Sequence, residues 1–63
     1  MKEKAQLIIM SHLSDAQQLI GHQPNPVWAN NHINFAKFLI MYTDGDLTQE
    51  VDPDEMWEKF LQR

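Results

Sequence analysis

The sequence predicts an all-α protein: an antiparallel helical hairpin plus a short C-terminal helix, assembled as a dimeric helical bundle. Three observations carry this. Apolar residues recur at helical spacing through two long segments. Proline and glycine punctuation separates the segments. A strong helix start stands near the C-terminus. With 63 residues, the expectation is a single helical domain over 1–63, its helices at about 3–20, 26–43 and 53–62.

In the first segment Ile9, Leu13, Ala16 and Ile20 step by four, three and four, which places them on one helical face. Gly21 stands where a left-handed C-terminal cap is wanted. Ser14-Asp15-Ala16-Gln17 resembles a capping box that could break the helix, but the apolar spacing runs through it without a phase change. One continuous helix is the reading.

The second segment opens on Asn25, a good N-cap, and Pro26, whose missing N–H costs nothing in the first turn. Ala29, Ile33, Ala36 and Ile40 repeat the four-three-four spacing, with Trp28, His32, Phe35, Leu39 and Tyr42 as a second row beside them. Asn30, Asn31, Asn34 and Lys37 make the wet face, and Gly45 is the expected stop. Two helices of this length run roughly 27 Å each and, joined by a short turn, form an antiparallel hairpin.

The third segment carries the clearest start. Asp52 is the N-cap, Pro53 is first, and Glu55 is third, as a capping box requires. Val51 and Met56 suit a hydrophobic staple, and Asp54 and Glu55 suit the positive end of the helix dipole. Met56, Trp57, Phe60 and Leu61 give this short helix an apolar side, and it must dock to be stable.

The dimer follows from an excess of apolar surface. A chain this short hides only roughly 60% of its extended surface on folding, and there is no cysteine to staple it. Leu7 to Met10 and Phe38 to Tyr42 are unbroken apolar runs that wrap almost the whole circumference of their helices. Both belts fall at the end of the hairpin far from its turn. The third helix can cover one side, and a second copy of the chain another. The expected interface is Leu7, Ile8, Met10, Phe38, Met41, Tyr42, Trp57 and Phe60. A monomer with exposed methionines and a docking groove for another protein are the alternatives.

Charge narrows the function classes. The net charge is −4, and residues 44 to 58 hold seven carboxylates and no basic residue. The five basic residues are scattered, so direct nucleic-acid binding is not expected. No run is long enough to span a membrane, and the Met-Lys-Glu-Lys start does not suit a secretory signal, so a cytoplasmic protein is expected.

No catalytic or cofactor-binding residue is assigned. Ser11-His12 and Ser14-Asp15 supply triad residue types, but helical neighbours point about 100° apart. His12, His22 and His32 are spaced by ten, which does not bring them to one helical face, and no shared metal site is expected. Counted from Asp44, an EF-hand loop would use Asp44, Asp46, Thr48, the Glu50 carbonyl, Asp52 and Glu55, with Val51 at its apolar position. Gln49 stands where that loop needs glycine, and helix capping already accounts for Asp52 and Glu55. The aromatic set Trp28, Phe35, Phe38, Tyr42, Trp57 and Phe60 reads as core. The functional expectation is a non-enzymatic interaction or regulatory protein acting as a helical homodimer. The alternatives are an acidic mimic of nucleic acid and, more weakly, a degenerate calcium module.

Overall fold

A computed structural model describes residues 1–22 and 26–62, with the backbone alone for Ile20, Gly21, His22 and Pro26. In chain order the elements are β1 (Glu3–Lys4), α1 (Ala5–His22), α2 (Pro26–Tyr42), β2 (Glu50–Val51) and α3 (Pro53–Leu61). Helices α1 and α2 form the antiparallel hairpin and α3 folds back against it, the all-α architecture that the periodicity predicts. Among the described residues no helix is long and apolar enough to cross a membrane.

The hairpin packs small against small near its turn and large against large at its open end. Ala16 and Ala29, both buried, fall at matching heights and let the helices approach closely. Further from the turn, Ala5, Ile8, Ile9, Phe35, Ala36 and Leu39 join Val51 and Met56 in one core. Phe38, Leu47, Trp57 and Phe60 close over it.

Helix α1 passes through Ser14 unbroken, but both of its ends depart from expectation. It runs past Gly21 to His22, so that glycine lies inside the last turn rather than beyond it. The expected N-cap of α2, Asn25, lies outside the described residues. At its start, residues 3–4 are not helical but pair with β2, Glu3 opposite Val51 and Lys4 opposite Glu50. The reason lies in the orphan N–H groups of a helix start. The chain offers no capping side chain here. Instead the Ala5 and Gln6 amides donate to the carbonyls of Gln49 (2.9 Å) and Leu47 (3.0 Å). The two-residue ladder holds the loop in place to do this.

Helix α2 ends in a Schellman turn. The Gly45 amide donates to the Ile40 carbonyl and the Asp44 amide to that of Met41. The left-handed residue just past the helix is therefore Asp44, at φ 53°, with Gly45 following at φ 83°. The expected stop, Gly45, thus shares the turn with Asp44. Thr43 is buried, and its hydroxyl donates to the Leu39 carbonyl at 2.9 Å.

Helix α3 starts as its capping signal requires. The Asp52 carboxylate accepts from the Asp54 amide at 3.0 Å and, at 3.4 Å, from that of Glu55. These bonds, that from Glu55 foremost, hold the Asp52 carboxyl below its ordinary pKa. Val51 and Met56 are both buried in the core, as a staple requires. Glu55 pairs forward with Lys59 at 3.3 Å, and Lys59 also reaches the Tyr42 hydroxyl at 3.5 Å, tying α3 to the end of α2.

Candidate functional site

The side of the hairpin that α3 covers is aromatic. The Phe35 ring lies edge-on to Trp57 at 4.9 Å and to Phe60 at 5.5 Å, and Phe38 bridges Phe60 and Tyr42 at 5.8 and 6.1 Å. Edge-to-face and tilted pairs at these distances are the arrangements that aromatic quadrupoles favour.

Two histidines complete this cluster. His12 and His32 meet across the hairpin with their Nδ1 atoms 2.8 Å apart. Phe35 stands edge-on to His12 at 4.6 Å, and Trp57 is stacked on it at 5.9 Å, 13° from parallel. Such a pair holds one shared proton. One ring donates through Nδ1–H, and the other accepts on a bare Nδ1 and carries its hydrogen on Nε2. Burial pushes the His12 imidazole below its usual pKa, and His32 beside it acts in the same direction; Asp15 opposes both. Asp15 lies one turn along α1 from His12, on the same edge.

The expectation that the histidines do not come together is corrected for this pair. Spacing by ten separates them on any one helix, but they belong to different helices of a hairpin. Residues equidistant from a turn face one another, and His12 and His32 stand ten residues to either side of position 22. That symmetry was the available signal. The side chain of His22 lies outside the described residues. Among those described, His12, Asp15 and His32 are the group of three whose ligand atoms all lie within 4.8 Å of one another.

The acidic segment is organised differently. Asp46 accepts from the amide and hydroxyl of Thr48, Asp52 caps α3, and Glu50 belongs to β2. Among the described residues these carboxylates do not gather as an EF-hand set would. A shallow cleft of about 200 Å³ beside them, lined by Lys2, Tyr42, Glu50, Asp52 and Glu55 among others, is below the usual size of a small-molecule site.

The eight residues expected at a partner interface are dispersed. Ile8 points into the core and is 4% exposed, so it offers no outer surface. Phe38, Trp57 and Phe60 are half-buried in the aromatic cluster with Tyr42. Leu7, Met10 and Met41 remain exposed. Ile8 and Ile9 of the first belt and Leu39 of the second are buried instead, so neither belt presents an unbroken apolar surface. The continuous apolar surface is elsewhere. On the side of the hairpin opposite α3, Leu13 and Ile40 are 44% and 43% exposed, with half-buried Ile33 between them and Met10 at the edge. These belong to the outer edges of the four-three-four stripes. No family model, curated protein or solved structure matches this chain.

Proposed function

We propose that this chain is a small non-enzymatic interaction protein that works as a symmetric homodimer, the aliphatic side of its hairpin being the contact surface. The observation that supports this reading is the one-sidedness of α3. It covers the aromatic side and, among the described residues, leaves Met10, Leu13 and Ile40 exposed and Ile33 half-buried.

A second copy suits this surface on charge. A two-fold contact sets each surface against itself, so like charges on it repel. Seven of the nine acidic residues lie in 44–58, on the closing loop and α3. The aliphatic side carries none, and Gln6, Gln17 and Lys37 line its rim. A standard interface takes ~800 Å² per partner, about a sixth of the 4629 Å² that one chain exposes.

Light scattering on a sizing column tests this. At micromolar concentration the mass should be that of two chains, and Leu13→Glu with Ile40→Glu should return one chain of unchanged helicity. A one-chain mass for the parent protein rules the proposal out.

A further inference from the structure

We infer that His12, Asp15 and His32 form a binding site for one divalent first-row cation of the kind that prefers imidazole, with zinc as its representative. The inference does not depend on self-association, because all three residues belong to one hairpin.

The geometry is nearly prepared. Two Nδ1 atoms already converge at 2.8 Å, a separation that complementary tautomers fill with one hydrogen. Zinc bound to imidazole at about 2.0–2.1 Å in a tetrahedral shell needs its nitrogens roughly 3.3 Å apart. The rings therefore have to separate by only about half an ångström for the ion to replace the proton. The third ligand is local. Asp15 follows His12 at the i, i+3 spacing, its carboxylate lies within the 4.8 Å group, and it is exposed and free to swing inward. Two neutral imidazoles and one carboxylate supply donors of the type zinc favours, and solvent has access to a fourth position.

The surroundings support this use. Trp57 and Phe35 pack on His12 and fix the orientation of its ring. Exchange of the shared proton for the ion is balanced. The ion takes both Nδ1 lone pairs, and the displaced proton passes to Nε2 of its own ring, so each imidazole stays neutral. Near neutral pH the donor ring simply moves its hydrogen to Nε2. Imidazole binds metal only through a nitrogen free of its proton, so affinity falls as the solution is made acidic.

The consequence is a clamp. The ion would join α1 to α2 near mid-length and favour the folded chain by mass action. For a domain of this size, saturation at a hundred times the dissociation constant should raise Tm by roughly 10 °C or more.

Calorimetric titration of the full chain with zinc chloride tests the site. One ion per chain is expected at pH 7.5, at least ten-fold weaker at pH 5.5, with thermal melts following in step. His32→Gln should abolish binding. Asp15→Asn changes an exposed residue, so it leaves the metal-free melt near that of the parent and should weaken binding ten-fold or more. Copper(II) should quench Trp57 in a Trp28→Phe background, and His32→Gln should remove that quenching. Absence of saturable binding up to millimolar zinc overturns the proposal, as does an affinity that Asp15→Asn leaves unchanged.

Discussion

The two sides of the hairpin are built from adjacent rows of the same helices, yet they have opposite fates. One row supplies Phe35, Phe38 and Tyr42 and is roofed by Trp57 and Phe60 of α3. The other supplies Leu13, Ile33 and Ile40 and, among the described residues, has no roof. Both are apolar, so hydrophobicity alone does not choose between them. Ring geometry does. A helix of nine residues presenting two aromatic rings gains more against other rings, where edge-to-face pairs add about 0.5–1.5 kcal/mol each beyond burial. It gains less over an aliphatic surface. Folding thus uses the aromatic side and leaves the aliphatic one partly exposed.

The sharpest way to break this contrast is Phe35→Ala. Phe35 is fully buried under α3, and its truncation should cost about 3–5 kcal/mol. That approaches the whole stability of a domain this size, so denaturant unfolding should lose its cooperative transition. Asp52→Ala removes the cap of α3 without touching either side. It should lower the denaturation midpoint measurably at neutral pH, and by less than Phe35→Ala does. The Asp52 carboxyl titrates below its ordinary range in the folded chain, so its contribution is complete above that range and fades as pH falls through the lower folded value. Parent and variant should therefore converge in acid-denaturation curves.

A milder perturbation reads the histidine pair. Folding lowers the pKa of His12, so the unfolded chain takes up a proton first on acidification. Protonation of His12 should therefore leave stability unchanged above about pH 6.5 and lower it progressively below. Melts in a buffer series between pH 8 and 5 check this, and a His12→Asn variant should flatten the slope. The smallest effect is expected on the open side. Leu13→Gln with Ile40→Gln should change monomer stability by about 1 kcal/mol or less, because both residues are already well exposed. If that pair costs as much as Phe35→Ala, the two sides are not distinct.

Much of this architecture was legible in the residues. The two long helices follow from unbroken apolar periodicity, and the start of α3 from Asp52 and Pro53, whose chemistry is local. What escaped was whatever depends on long-range register. The β1–β2 pairing involves four residues with no alternating pattern, and it exists because the start of α1 lacks a capping side chain and borrows carbonyls from a distant loop. The meeting of His12 and His32 is a property of the turn, not of either helix. The belts misled for a related reason. A run such as Leu7 to Met10 shows that every face of a helix is apolar, but not which faces find a neighbour. Ile8 and Ile9 turned inward, while Leu7 and Met10 did not.

The two backbone bonds from Ala5 and Gln6 to the closing loop reach further than their number suggests. They join residues more than forty positions apart, so the polypeptide closes on itself like a clasped bracelet. Loop closure of that span is entropically unfavourable and comes late, after the local hairpin has formed. The first turn of α1 is then the last part of that helix to become protected, although it is the first to be synthesised. Slow hydrogen exchange at those two amides would mark the moment at which the C-terminal third of the molecule has arrived.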